Sequence, residues 1–349
     1  MSEENTLSDL GWSHHFQSQL TDEDAGARPM RVSEVHRSSL TALDTAGAHF
    51  IVFSAQITSG DVAVGDWILV EADADRIIRV LDRKSHLSRR AAGPELREQL
   101  VAANVDTLFI VTSCNADFNE ARLERFISMA FEANATPIIV ITKADQTDDN
   151  GADYVRRAEK LSLGQVAIPI NAKDPADLER LMSWCGPKET IALLGSSGVG
   201  KTTITNGIAG TSEATSDIRE DDAKGRHTTT ARSLHRIDGG GWLVDTPGMR
   251  EFGLFEAADG INAVFQDVLE FAENCKFRDC AHESEPGCAV RAAIERGELD
   301  ADRLERWRKL QREDAHQSET IAQSRKRGKD FARMVKDVKK VKHRKYRGD

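Results

Sequence analysis

The sequence predicts an α/β chain in three parts: a small β-domain, a mostly parallel sheet flanked by helices, and a helical region built around a Cys/His cluster. Three observations carry this reading. Short β-type runs divided by turn residues fill positions 30 to 87, namely MRVSEVHR, HFIVFSAQI, DWILVEA and RIIRVLD. From Val105 onward, apolar runs alternate with segments that show one helical face. Beyond Gly260 the pattern is helical apart from three cysteines crowded between Cys275 and Cys288.

Composition narrows the class. The 349 residues are 40% hydrophobic and 30% charged, and none of the apolar runs approaches the roughly 18 residues of a membrane span. The opening MSEENTLSDL has neither a basic nor an apolar leader region, so a soluble, cytoplasmic chain with no membrane partner is expected. Five cysteines, an odd number, fit a reducing compartment and a metal site better than a disulfide framework. The net charge of −10 is uneven: from Ile321 to Asp349, twelve Lys or Arg face Asp330, Asp337 and Asp349, a local +9 that leaves −19 on the rest. A basic tail on an acidic body can still reach for nucleic acid.

Taken in order, residues 1–29 are polar, with acidic clusters at Glu3-Glu4 and Asp22-Glu23-Asp24, and read as a flexible acidic extension. Residues 30–90, broken at Ser59-Gly60-Asp61 and Val64-Gly65-Asp66, suit an antiparallel barrel, of OB type or another compact β-domain. Arg31, Arg37, Arg79, Arg83, Arg89 and Arg90 give this part an RNA-facing surface in expectation. The connector RKSHLSRRAAG leads into residues 98–260. There Val105–Val111 and Pro137–Thr142 read as buried strands around a helix whose face is Leu123, Phe126, Ile127, Ala130 and Phe131, and VAIPI, TIALLG and GWLVD as further strands. Residues 261–349 read as a helical, metal-bound domain, with Leu304, Trp307 and Leu310 on one packing face and Phe331, Met334, Val335, Val338 and Val341 on another. Cys114 and Cys185 have no ligand partners nearby in sequence and read as core residues.

Four motifs bear chemistry. Gly195-Ser196-Ser197-Gly198-Val199-Gly200-Lys201-Thr202, followed by Thr203, matches G-x-x-x-x-G-K-[ST] between an apolar strand and a helix. Its glycines let amides turn inward around phosphates, Lys201 brings a positive charge to the β/γ oxygens, and Thr202 offers a hydroxyl to Mg²⁺. Asp245-Thr246-Pro247-Gly248 ends the strand GWLV, where an acid reaches the metal through water and Gly248 offers its amide to a γ-phosphate. Thr142-Lys143-Ala144-Asp145 ends the strand PIIVI. A carboxylate there accepts from guanine N1–H and N2, whereas adenine would leave it unpaired. Asn171-Ala172-Lys173 follows the next strand, where a second loop closes over a base. Cys275, Cys280, His282 and Cys288 supply three thiols and an imidazole in one short loop, a donor set for tetrahedral Zn²⁺ of the closed, structural kind.

The base-binding loops precede the phosphate loop, the reverse of the usual GTPase order. In this the sequence resembles the circularly permuted GTPases. The β-domain before and the Cys/His cluster after narrow the resemblance to the RsgA family, also called YjeQ or YloQ, whose members are GTPases dependent on the small ribosomal subunit and active in late 30S maturation. The likeness runs from about Met30 to Arg291 through RKSHLSRR, AANVDTLFIVTS, GRHTTTAR, DTPGMREFGL and CKFRDCAHESEPGC. It implies a permuted P-loop GTPase core between an OB-type barrel and a zinc-bound helical domain, with GTP or GDP, Mg²⁺ and one Zn²⁺ per chain. It also implies the 30S subunit and its 16S rRNA as partners of a monomer.

The resemblance makes Gly225–Thr230 switch I, where Thr228, Thr229 or Thr230 meets Mg²⁺, and starts switch II at Asp245. Met249 stands where Ras-type enzymes place a water-orienting glutamine, and methionine cannot polarise water. The family points instead to His227. Two departures stand out. Thr142 replaces the Asn of the common guanine loop, so one polar contact that ties the base to the phosphate loop is expected to weaken. Asn171 stands where Ser is more usual, with little effect expected because the key donor is the amide of Ala172. The rival readings are a P-loop kinase or ATPase, against which the guanine loop weighs, and a nucleotide-regulated RNA-binding scaffold.

Overall fold

The computed structural model describes residues 6–72, 74–90, 98–210, 233–245 and 257–315. Switch I with His227 and Thr228–Thr230, the segment from Thr246 through Gly248 and Met249, and the basic tail beyond 315 lie outside the described residues.

Five antiparallel strands form the β-domain: β1 (Arg28–Val35), β2 (Ser39–Leu43), β3 (Ala48–Val52), β4 (Trp67–Val70) and β5 (Ile77–Val80). They run in the order β3-β2-β1-β4-β5 around a small core of Met30, Val32, Leu40, Ile51, Ile68 and Val70. Among the described residues no ladder joins β3 to β5, so the closure that defines an OB barrel is not seen. The stretch expected as a connector instead contributes a strand, β6 (His86–Arg90), which pairs antiparallel with β7 (Glu98–Ala103); Ala102 is bridged to Val64 of the β-domain.

The central sheet contains β8 (Thr107–Ser113), β9 (Thr136–Thr142), β10 (Val166–Pro169), β11 (Thr190–Gly195), β12 (Ser233–Arg236) and β13 (Trp242–Asp245), in the order β10-β9-β8-β11-β13-β12. The first five in that order are parallel and β12 is antiparallel to β13. Near-continuous Ile, Val and Leu suit β8, β9 and β11 because helices cover both faces. One face is covered by α2 (Glu120–Glu132) and α3 (Ala152–Glu159), the other by α4 (Pro175–Glu179) and α5 (Lys201–Ala209). Asn119 starts α2 by accepting from the Arg122 amide, and Asp174 starts α4 with Pro175 at its first turn. The chain winds outward from β8 in one direction and from β11 in the other, so the topological switch point lies between these two strands.

β1 also pairs with β12, at Glu34 and Ser233, so the β-domain sheet and the central sheet are one. The expectation of a flexible extension over residues 1–29 is corrected for residues 6–29. A short helix α1 (His14–Gln17) lies there, Leu10 and Phe16 are each 1% exposed, and Trp12 meets the Trp67 ring edge-on at 4.8 Å. Scattered aromatics hold this segment with no period to betray them, because each fills its own gap over Trp67.

The arginines expected on the β-domain surface are also corrected in part. Arg31 is 1% exposed: it donates to Leu10 O at 2.6 Å and to Thr190 Oγ1 at 2.5 Å and lies over the Trp242 ring, joining the N-terminal segment, β1 and the central sheet. Arg83 pairs with buried Asp66 at 2.7 Å and Arg79 with Asp24 at 2.7 Å. These charges serve internal joints, while Arg37 remains exposed.

After β13 come α6 (Ala258–Val264), α7 (Gln266–Ala272), α8 (Ala289–Glu295) and α9 (301–315). Leu304, Trp307 and Leu310 are buried on α9, the packing face the sequence predicts. Cys114 and Cys185 are buried as expected, and burial raises their thiols, to about 11 and about 12.

Candidate nucleotide and metal sites

Parallel strands place their C-terminal ends on one edge, and this edge gathers the motifs. Thr142–Asp145 follows β9, Asn171–Lys173 lies just beyond β10, the phosphate loop follows β11, and Asp245 ends β13. The crevice beyond the strand ends at a switch point is where open α/β sheets hold ligands.

Gly195 has no alternative in this arrangement: a Cβ there would sit 2.2 Å from Val111 O on the neighbouring β8. Gly198 and Gly200 take φ of +76° and +98°, which turn the loop into the N-terminus of α5. Lys201 Nζ donates to Gly195 O at 2.7 Å and to Ser196 O, so the lysine folds over the loop that would hold the phosphates. Thr202 and Thr203 follow in the first turn of α5.

Thr142 makes a polar tie of its own to the phosphate loop. Its hydroxyl, 1% exposed as a residue, lies 2.6 Å from Val199 O in the phosphate loop and 3.1 Å from Thr112 O. The short branched side chain brings its hydroxyl to that carbonyl, and the neighbouring Gly200 takes a φ of +98°, a conformation that favours glycine. Lys143 takes φ of +59°, and the following turn Ala144–Gln146 leaves Asp145 exposed. Ala144 N donates to Ile170 O at 3.2 Å, binding the guanine loop to the closing loop. In the closing loop Asn171 Oδ1 accepts from Lys173 N at 3.1 Å and Asp177 accepts from Asn171 N at 2.7 Å, which holds the half-buried Ala172 between fixed neighbours. Sequence reasoning missed Asp177, whose only signal was its position in the first turn of α4.

The four predicted metal ligands converge: their donor atoms all lie within 4.8 Å of one another. His282 Nδ1 is 3.6 Å from Cys275 Sγ and 3.5 Å from Cys288 Sγ, and the two sulfurs are 4.0 Å apart. Tetrahedral zinc with Zn–S near 2.3 Å and Zn–N near 2.05 Å requires separations of about 3.6 Å for S···N and about 3.8 Å for S···S, so the residues fit the ion. Burial and the nearby Arg308 cation hold His282 below its ordinary pKa, which favours the neutral imidazole a metal needs. The brace of this loop was not legible in the sequence. Glu285 accepts the amides of Ala281, Glu283 and Ser284; its own backbone amide first, and then these, keep its carboxyl down at about 2, and Arg308 donates to Ala281 O at 3.0 Å. These bonds hold His282 at φ of +60°.

A guanine loop and a closing loop that precede the phosphate loop on one sheet edge, followed by a Cys₃His cluster, define a circularly permuted P-loop GTPase. The RsgA GTPase family model matches residues 80–255. A curated relative from Mesorhizobium japonicum, named small ribosomal subunit biogenesis GTPase RsgA, is 50% identical over 327 residues, 93% of each chain. Another from Vibrio vulnificus, named small ribosomal subunit biogenesis GTPase RsgA 2, is 43% identical over 98% of each. The chain belongs to the RsgA GTPase family and is a GTPase. Among solved structures, YjeQ from Thermotoga maritima superposes with a TM-score of 0.59 at 25% identity, covering 81% of this chain and 97% of that one. YloQ, described as a circularly permuted GTPase, matches in fold with a TM-score of 0.57 at 23% identity, over 88% and 98%. No helix among the described residues is long and apolar enough to cross a membrane.

Proposed function

We propose that this chain hydrolyses GTP as an assistant of late small-subunit maturation in the cytoplasm, as a monomer that contacts 16S rRNA and turns over faster on the 30S subunit. The observation that carries the reading is the single sheet edge bearing both base loops, the phosphate loop and Asp245 in permuted order, in a chain similar over most of its length to relatives named for small-subunit biogenesis. A kinase or ATPase reading does not account for a carboxylate at Asp145 on the base side.

In this reading the amides from Gly195 to Gly200 and the Lys201 ammonium bind the phosphates, Asp145 reads the guanine edge, and the Ala172 amide closes over the base. Thr202, a threonine of Thr228–Thr230 and, through water, Asp245 hold Mg²⁺, which supplies charge neutralisation at the β and γ oxygens. Gly248 meets the γ-phosphate. His227 orients the attacking water by hydrogen bonding, a task that needs no strong base. The division into a β-domain of OB type over 30–90, a GTPase core over 98–260 and a zinc domain over 261–349 belongs to the same proposal. So does RNA contact by Arg37 and the +9 segment from Ile321 to Asp349.

His227→Ala is expected to leave GTP affinity within about twofold while lowering subunit-stimulated kcat by about 10²-fold, because water positioning matters in the transition state and little in the ground state. Single-turnover hydrolysis with and without purified 30S and 50S subunits measures this. A variant that still responds fully to 30S subunits returns the role to another group. The same assay on the unaltered chain separates an enzyme from a scaffold.

Purified under reducing conditions, the protein is expected to carry about one Zn²⁺ per chain. Cys280→Ser should lose most of it and expose the loop from Asn274 to Cys288 to protease while nucleotide binding persists, since a short loop lacks the apolar content to fold alone. Elemental analysis that finds no zinc in the unaltered protein defeats the assignment.

A further inference from the structure

Every backbone amide from Ile170 to Asp174 except that of Ala172 has a partner. Ile170 N donates to Ile141 O at 2.9 Å, Asn171 N to Asp177 Oδ2 at 2.7 Å, Lys173 N to Asn171 Oδ1 at 3.1 Å and Asp174 N to Asn171 O at 2.9 Å. Among the described residues the amide of the half-buried Ala172 meets no acceptor. The carbonyls before it are fastened as well. Ile170 O accepts the Ala144 amide of the guanine loop at 3.2 Å, and Pro169 O accepts from Arg180 Nη1 at 2.9 Å. Asp177 and Arg180 pair with each other at 3.2 Å, so one acid and one cation grip the peptide groups on both sides of Ile170. Asp177 is not needed to start α4, because Asp174 Oδ1 already accepts the Ala176 amide at 3.0 Å. Nor does its ion pair contribute much stability, since half of the Arg180 side chain is open to water.

We propose that Asp177, with Arg180 beside it, is a positioning residue for the nucleotide base: by holding the Asn171 amide it sets the direction of the Ala172 N–H and so the preference for guanine O6. The proposal rests on the reading that Asn171–Lys173 closes over guanine. Guanine carries an oxygen at that position and adenine an amine, so an N–H donor aimed there favours the first and opposes the second. Asp145 reads N1–H and N2, and Asp177 thereby acts on the remaining group of the same edge. The bond from the Asn171 amide to a carboxylate is charge-assisted, and without it the start of the closing loop is held from the Pro169 side alone. The base is the same in the ground state and the transition state, so a misdirected Ala172 amide costs binding rather than chemistry.

The test is nucleotide binding and turnover on the full-length protein and its Asp177→Ala, Asp177→Asn and Arg180→Ala variants, with GTP and with 6-thio-GTP. The thio analogue keeps N1–H and the N2 amine but presents sulfur, a weak acceptor, in place of O6. Unaltered protein is expected to bind GTP about tenfold more tightly than the analogue. Asp177→Ala is expected to raise Kd and KM for GTP about tenfold, with kcat at saturation within about twofold, and to weaken the analogue by less than about threefold. Asp177→Asn keeps an acceptor oxygen without the charge and is expected to return GTP affinity to within about threefold of the unaltered protein. Arg180→Ala frees the Pro169 carbonyl and is expected to show the same selective loss at about threefold; it carries the comparison should Asp177→Ala not fold. Equal loss for both nucleotides in Asp177→Ala overturns the positioning of the Ala172 amide and leaves Asp177 a residue of loop stability. Unchanged GTP affinity in that variant overturns the role outright, as does a fall in kcat with KM unchanged. If the unaltered protein binds both nucleotides alike, the reading that the closing loop meets O6 fails and the proposal with it. If it discriminates and Asp177→Ala discriminates equally well, the proposal alone fails.

Discussion

Asp145→Asn is expected to cost the protein roughly 10⁴-fold in GTP affinity and to create affinity for xanthosine triphosphate of comparable strength. The carboxylate accepts two hydrogen bonds from guanine, N1–H and the N2 amine. An amide in its place presents a donor where the N2 amine also donates, and that clash costs more than the lost bond. Xanthine carries an oxygen at that position, so the pattern matches again. The substitution should leave the fold intact, because Asp145 is exposed and its turn is held by the Ala144 amide on Ile170 O, which does not involve the side chain. Titration of both nucleotides against the variant measures the change. Unchanged GTP affinity would remove Asp145 from the base site, and equal loss of both nucleotides would point to damage in the loop instead.

The core of this fold was legible because its strands are buried on both faces. Ile138–Ile141 and Ile191–Leu194 admit no polar residue, so a continuous apolar run followed by a Gly-Lys-Thr or Lys-x-Asp turn announces both strand and loop. The ligand set was legible for a similar reason: Cys275, Cys280, His282 and Cys288 lie in one loop, where sequence proximity is spatial proximity. What escaped was whatever depends on distant segments. Trp12 and Phe16 read as isolated aromatics in polar surroundings, and only Trp67, brought over by the β-domain, gives them a surface. Arg31, Arg79 and Arg83 read as free cations because their partners, Thr190, Asp24 and Asp66, are settled by tertiary structure alone. The tie from Thr142, at the end of β9, to Val199 in the phosphate loop joins segments far apart in the chain, so the sequence alone does not show which carbonyl the hydroxyl meets.

Helix α2 makes the same point with larger energetic consequences. Its sequence shows one apolar face, Leu123, Phe126, Ile127 and Ala130, and by period Glu124 and Ser128 belong to a second face turned to water. Both are 0% exposed. The C-terminal helices cover that second face, with Gly260 against Ser128 O and Arg303 and Arg306 against Glu124. An amphipathic pattern reports the face that meets the sheet; a second, polar interface has no such signature.

Glu124→Ala is expected to destabilise the folded chain by about 3–5 kcal/mol, the cost of leaving a buried charge without its partner. Glu124 Oε1 accepts from Arg303 Nη1 at 2.8 Å, and both its oxygens accept from Arg306 Nε at 2.9 Å. Burial pushes the Glu124 carboxyl above its ordinary value while the Arg306 and Arg303 cations pull it back toward ionisation. The guanidinium of Arg303 spends its remaining donors on Leu161 O, Val264 O and Asp267, and it stacks 4.3 Å over the Phe265 ring. It therefore fastens the turn after α3, the end of α6 and the start of α7 to α2 at one point, and it cannot turn to water when Glu124 is lost. Asp267 alone is too exposed to replace a buried anion, with 45% of its side chain open to solvent. The pair as a whole need not be stabilising relative to an apolar substitute, since desolvation of both ions offsets much of their attraction. Glu124→Leu with Arg303→Met should for that reason recover about half or more of the loss seen in Glu124→Ala. Urea unfolding of the two variants and the unaltered chain, followed by circular dichroism, measures the difference. A loss below about 1 kcal/mol in Glu124→Ala would mean that water reaches Arg303 once the carboxylate is gone, and that the C-terminal helices are held to α2 by their apolar contacts and by Gly260 rather than by this buried charge.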